Sequence, residues 1–359
     1  MARSVSASKK SRRPSRSPSR SAASRSAAVT PPAEQTPHPF LCYPGGGTFF
    51  WWQLGAARRL SELFDFSSAA IEQPGLSAGA LAAVLSRCGV NPLEAHDVAY
   101  RLADDAGVFS NPMGLACKWG RLVEAWLREL LPENASKLCN RSAVVVVTRL
   151  TPLPRVARVA TFSSNEHLIS CLMASTHIPL FMDGHFSRSL SDGDPLDAGA
   201  ARISAVDGGF LAFFGLATEA SLLSFGTASG SKPVTMDANN DLAFKAACKA
   251  HGWSMLKPYG TEHFLEYGAR YVEAQIALGA DGALAPIARY MRKPASSSSK
   301  AGKARSWRRA LPPMPHATSS RLSVPVGRRT LLLAASALAL PMLYLLPRLA
   351  EDVFFASDV

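Results

Sequence analysis

Three short clusters in this 359-residue chain could do chemistry together. Gly75-Leu76-Ser77-Ala78-Gly79 has the G-x-S-x-G spacing of a nucleophile elbow. A serine on a sharp strand-to-helix turn sits in a strained backbone position. Residues two places away come too close for side chains, hence Gly75 and Gly79. The hydroxyl then projects at a helix N-terminus, whose positive end favours an alkoxide or an oxyanion. Gly45-Gly46-Gly47 can offer backbone N–H groups to an anion, or can be a flexible turn. A P-loop is excluded by the missing Lys-Ser/Thr pair, and a dinucleotide fingerprint by the next glycine falling at Gly55. Asp207-Gly208-Gly209 alone would read as an ordinary turn. Beside a serine nucleophile, Asp207 supplies the base.

These clusters need strands and helices to hold them. Residues 40–43 read as a short apolar strand ahead of the triple glycine. Residues 49–64 read as a helix with Trp52, Ala56, Leu60 and Leu63 on one face. A weak strand at 69–71 precedes the serine motif, and an apolar helix follows at 80–87. Helices are predicted at 92–106 and 115–131, the second with Leu115, Trp119, Leu122, Trp126 and Leu130 on one face. Residues 143–147 are a continuous apolar run of the kind buried on both faces of a sheet, and 155–162 reads as its neighbour. A helix follows at 166–174, a surface loop at 187–201, strands at 203–206 and 222–225, and a helix at 264–278. Strands alternating with longer helices predict an α/β layered fold around a mostly parallel sheet.

The formal charge of +12 is unevenly spread. Residues 1–33 hold eight Lys/Arg and no acid, and 292–329 hold ten and no acid. The body, 34–291, has twenty Lys/Arg against twenty-four Asp/Glu, a sum of −4. A mildly acidic body gives no reason to expect a nucleic-acid-binding domain. The leader, 1–36, has the composition of a disordered tail or of an organelle transit peptide. Residues 292–329 read as a basic Ser/Pro-rich linker. Residues 330–347 just reach the length of a membrane span, kinked by Pro341 and flanked by Arg328, Arg329 and Arg348, with 348–359 as a short tail. A docked C-terminal helix is the other reading of that segment. The six cysteines have no Cys-x-x-Cys spacing and predict reduced, buried thiols. No metal constellation and no cofactor motif is visible. The sequons at Asn134 and Asn140 are taken as coincidental, since nothing else indicates secretion.

In order and spacing, Gly45–Gly47, the Ser77 elbow and Asp207-Gly208-Gly209 resemble the patatin-like phospholipase family. The stretch Met173-Ala174-Ser175-Thr176-His177-Ile178-Pro179-Leu180-Phe181 is similar to the segment that precedes that family's catalytic Asp. The resemblance covers roughly 41–210. It implies a three-layer α/β/α catalytic domain over 37–291 and a Ser–Asp dyad without histidine. Ser77 would form an acyl-enzyme, Asp207 would take its proton and later activate water, and the Gly45, Gly46 and Gly47 amides would hold the oxyanion. Acylglycerols, phospholipids and related lipid esters are the implied substrates, met at a membrane or lipid-droplet surface. Two departures stand out. Pro44 leads the glycine run where the family has Asp or Ser. Thr48-Phe49-Phe50-Trp51-Trp52 follows where the family has Arg-Gly, so a charge that could brace the turn is missing. The four aromatics could line an acyl-chain channel, although at least two are expected to pack the first helix on the sheet.

Asp183, followed by Gly184, is a rival base, disfavoured because it falls almost directly after Pro179. A histidine-dependent esterase would call on His251 or His263, which follow Asp207. His177 and His185 receive no role. Transfer of the acyl group to another lipid, a silent membrane-tethered binding protein, and a nucleic-acid binder acting through the tails are the other readings. The expected location is a membrane, with the catalytic domain cytoplasmic; a plastid or mitochondrion is the alternative.

Overall fold

A computed structural model describes residues 39–66, 71–110, 114–151, 153–191, 202–227 and 230–292. The basic leader 1–36, the linker from 293 onward, the candidate anchor 330–347 and the tail 348–359 lie outside the described residues. Among the described residues no helix is long and apolar enough to cross a membrane.

In chain order the elements are β1 (Phe40–Cys42), α1 (Phe50–Leu63), β2 (Gln73–Leu76), α2 (Ala78–Arg87), α3 (Pro92–Asp105), α4 (Trp119–Leu130), α5 (Ala135–Cys139), β3 (Ala143–Arg149), β4 (Arg155–Val159), α6 (Asn165–Ser175), β5 (Arg188–Ser191), β6 (Arg202–Val206), α7 (Phe210–Phe213), α8 (Glu219–Ser224), β7 (Pro233–Thr235), α9 (Leu242–His251) and α10 (Thr261–Ala277). The sheet is mixed, where a mostly parallel one was expected. β7 and β1 are parallel, as are β2 and β3, and β1 joins β2 through Tyr43 N–H donating to Pro74 O at 2.9 Å. β4 and β6 run antiparallel to β3, and β5 antiparallel to β6. Only residues 150–154 separate β3 from β4. A parallel crossover needs a dozen or more residues, so this link can only turn back.

β3 is the centre of the sheet, and its valines are buried on both faces as the sequence predicted. Val145 and Val147 point into the large core with Trp52, Leu60, Val84, Leu172 and Phe264. Val146 points the other way, into a smaller core with Phe40, Cys42, Leu76, Leu222 and Leu223. Helices thus cover both faces, α1, α2, α6 and α10 on one and the short α8 on the other. The strand expected at 222–225 is helix α8: the Thr218 hydroxyl accepts from Ser221 N–H while the Ser221 hydroxyl accepts from Thr218 N–H, a capping box that starts a helix. The strand expected at 69–71 is β2, closer to Ser77. The loop expected at 187–201 contains β5, and 192–200 lie outside the described residues.

One topological detail positions the site. Alternate residues of a strand direct their backbone groups to the same edge. Gln73 N–H donates to Ser142 O and Leu150 N–H donates to Ser204 O, both at 2.8 Å. Residues 142 and 150 share parity, so β2 and β6 lie along one edge of β3. They arrive from opposite directions. β2 ends with Leu76 opposite Val146, and β6 ends with Val206 opposite Thr148. The next residue of each, Ser77 and Asp207, enters the gap beside Val147.

Candidate active site

Ser77 has φ 53° and ψ −130°, a left-handed backbone that a non-glycine residue holds only under constraint. The constraint is close backbone packing. A Cβ on Gly75 would sit 2.4 Å from Gly79 O, and one on Gly79 would sit 2.0 Å from Tyr43 O. Ser77 N–H donates to Ser175 Oγ at 3.0 Å, and Ser175 Oγ donates to Val146 O at 2.6 Å. The same α6 terminus ties the other half: Gly208 N–H donates to Ser175 O at 3.0 Å and Asp207 N–H to His177 O at 2.9 Å. Ser175 therefore joins the serine turn, β3 and the aspartate turn. Nothing in the spacing of residue types singled it out; it lay inside the stretch 173–181 that carries the family likeness.

Asp207 is buried, and burial pushes its carboxyl up to about 6, against the opposing effect of the Ser77 hydroxyl and the Gly209 amide. Gly209 N–H donates to its Oδ1 at 2.7 Å, while Oδ2 is buried without a hydrogen-bond partner on a carboxyl that the Ser77 hydroxyl faces. Gly208 is needed where it is, since a Cβ there would lie 2.3 Å from Val146 O.

The triple glycine borders the same space. A Cβ on Gly45 would be 3.7 Å from the Ser77 Cβ. Among the described residues the Gly45, Gly46 and Gly47 amides donate to no backbone carbonyl, whereas Thr48 N–H is spent on Met255 O at 2.8 Å and Phe49 N–H on Gly46 O at 3.0 Å. The Gly45 backbone instead lies beside the carboxyl of Glu219, a site residue that the sequence reading missed; a Cβ on Gly45 would be 3.1 Å from its Oε1. Burial, then Asp237 and Asp207, push Glu219 up to about 7. The only local signal was an acid in the first turn of a helix.

A cleft, partly open to solvent, leads away from Ser77. Phe50, Trp51, Leu81, Trp119, Leu122 and Trp126 line it, with His96 and Thr261 as a polar pair 3.0 Å apart. Its lining of aromatic and aliphatic side chains suits an apolar chain. The aromatic run divides evenly. Phe50 and Trp51 face the cleft. Trp52 is fully buried and donates to Asp241 Oδ2 at 2.8 Å, and Phe49 packs edge-on against Phe244 and Phe264.

The rival groups are occupied elsewhere. Asp183 sits in a charge cluster with His185 at 3.2 Å and Arg188 at 3.8 Å. His177 is buried, and burial lowers its pKa; its ring nitrogen contacts His185 O at 3.1 Å. His251 and His263 stack on Trp253, and neither lines the cleft. Cys42, Cys139 and Cys171 are buried as expected, but Cys117 is exposed. Among the described residues no three His, Cys, Asp or Glu side chains converge as a metal site.

A strained serine at a helix N-terminus, a buried carboxyl on the neighbouring turn and an apolar cleft beside them come together on one side of an α/β fold. Residues 41–218 match the family model for patatin-like phospholipase, so the chain carries a patatin-like phospholipase domain. Over 148 residues, 41% of this chain, it is 32% identical to the omega-hydroxyceramide transacylase of Homo sapiens. It is 30% identical to the Mus musculus protein of the same name over the same length. The matched region spans 27% and 24% of those two relatives.

Proposed function

We propose that this protein is a serine lipid acyl hydrolase that cleaves carboxylic esters of acylglycerols or phospholipids with Ser77 and Asp207. The observation that carries the reading is the meeting of these two residues, 130 positions apart in sequence, at the gap where β2 and β6 end on one edge of β3. Asp207 takes the proton from Ser77 Oγ as Oγ bonds to the ester carbonyl carbon. The oxyanion is received by the free amides of the glycine turn and by the α2 N-terminus. The intermediate collapses, the carbon–alkoxy bond breaks, and Asp207 gives its proton to the departing alcohol. Water then attacks the acyl carbon and yields its proton to Asp207, and Ser77 Oγ leaves and regains a proton. A base near neutral suits both steps.

Transfer to a lipid hydroxyl in place of water is the second reading, favoured by the names of the two relatives. It uses the same acyl-enzyme. The test is a panel of long-chain acylglycerols and phospholipids with and without a lipid alcohol, using wild type, Ser77→Ala and Asp207→Ala. Both variants should lose about 10³-fold or more in kcat. Free fatty acid supports hydrolysis, and a new lipid ester that depends on the alcohol supports transfer. Full activity in Ser77→Ala, or no labelling of Ser77 by a fluorophosphonate, would refute an enzymatic role for this serine. We place the enzyme at a membrane through 330–347, with the leader as an organelle address in the alternative. Retention of a 330–359 deletion in the membrane fraction would argue against that anchor.

A further inference from the structure

We infer that Glu219 is a positioning residue of this site: its neutral carboxyl holds the Gly45 end of the oxyanion turn beside Ser77, and its ionisation stops the reaction by putting a second negative charge where the oxyanion must form. The inference rests on the reading of Ser77 and Asp207 given above. Three observations carry it. First, α8 is fixed beneath the elbow. Its Leu222 and Leu223 share the smaller core with Leu76 and Val146, and the Thr218–Ser221 capping box sets its first turn, where Glu219 stands. Second, one carboxyl oxygen reaches both turns of the site. A Cβ on Gly45 would be 3.1 Å from Glu219 Oε1, and one on Gly209 would be 3.7 Å from it. Third, the charged groups facing Glu219 are acids: Asp207 from the turn after β6 and Asp237 from the turn after β7. The basic side chain packed on α8, Arg158, is committed to Glu72 at 2.9 Å and to Leu223 O at 2.7 Å. Clustered carboxyls without a cation do not all ionise when desolvated. Asp207 at about 6 and Glu219 at about 7 fit this order, with Asp207 charging first and its charge keeping the proton on Glu219.

The experiment is kcat/KM against pH for the full chain on a soluble short-chain ester, with Glu219→Gln and Glu219→Ala beside wild type. Wild type should give a bell, rising near pH 6 and falling near pH 7. Glu219→Gln should keep the rise and lose the fall, so that at pH 8.5 it exceeds wild type by about tenfold or more. Glu219→Ala should lower kcat about 10- to 100-fold with KM unchanged. A descending limb in Glu219→Gln that coincides with wild type overturns the inference, whether or not the alanine variant folds. Fluorophosphonate labelling of Ser77 separates the two levels: persistent labelling with an unchanged descending limb sinks Glu219 alone, and absent labelling in wild type sinks the reading it rests on.

Discussion

The site is built on two strand–glycine–helix turns, one between β1 and α1 and one between β2 and α2, and they use glycine for different reasons. In the serine turn the glycines make room for backbone. Gly75 and Gly79 would each drive a Cβ to 2.4 Å or closer on a carbonyl oxygen, and the strain is carried by Ser77. In the triple-glycine turn the space around Gly46 is open, the nearest neighbour of an added Cβ being the Phe49 Cβ at 3.4 Å. What that turn offers is amides that donate to no backbone carbonyl, with the Glu219 carboxyl beside Gly45. Its third glycine is the exception, with φ 54° and Met255 O 2.1 Å from where a Cβ would sit. One turn is shaped to hold a nucleophile still, the other to leave donors exposed.

The largest effect should come from exchanging one glycine in each turn. Gly79→Ala sets its Cβ 2.0 Å from Tyr43 O and 2.5 Å from Pro44 O, so β1 or the elbow must move. Overpacking of this kind against backbone should cost about 3 kcal/mol. Gly46→Ala meets no such contact and should shift stability by about 0.5 kcal/mol or less. Urea denaturation of both variants measures the difference. Equal losses would mean that the two turns are constrained alike.

A smaller effect, of opposite sign, is expected at Asp207. Its carboxyl is raised from 3.8 to about 6 by burial, so the fold favours the protonated form. That contribution is complete below the unfolded value near 3.8, is lost as pH rises towards 6, and stays lost above it. At pH 7 the ionised carboxyl therefore weighs against folding. Asp207→Asn should be more stable than wild type by about 2 kcal/mol at pH 7, with the difference vanishing near pH 3.5. It should be inactive at every pH. A variant less stable than wild type at pH 7 would show that the carboxylate is held by favourable contacts, contrary to its partnerless Oδ2.

The contrast between the turns also explains what the sequence made visible. Ser77, Asp207 and the two glycine groups could be read because their chemistry is tied to residue type at fixed spacing. Glu219 and Ser175 act through position in the fold, and an acid in a helix's first turn or a serine near a helix end is commonplace. β2 was displaced in the reading because Gln-Pro-Gly-Leu has little strand character. Its pairing comes from β1 and β3, and Pro74 needs only its carbonyl there. α8 was taken for a strand because two consecutive leucines in a short run carry no period. The length between β3 and β4 could have revealed the antiparallel pair, had the link been counted. The four aromatics at 49–52 could not be apportioned without the helix axis: a 100° step per residue sends Trp51 to the cleft and Trp52 to the core.

The smallest effect should be at the two histidines that a triad would require. His251 and His263 both stack on Trp253, with ring centroids 4.7 and 5.7 Å away and interplanar angles of 22° and 24°. His263 has its nearest acid in Glu262, at 3.5 Å, and more than half of its side chain is exposed. The Asp207 carboxyl accepts from the Gly209 amide through Oδ1, and Asp207 N–H is taken by His177 O. An imidazole would have to stand between Ser77 and Asp207 to relay a proton, and neither His251 nor His263 lines the cleft that begins at Ser77. His251→Ala and His263→Ala, made separately, should therefore change kcat/KM by less than about twofold, the scale of surface substitutions outside a catalytic unit. A loss of about 100-fold in either, with folding preserved, would mean that a proton relay through histidine replaces the dyad.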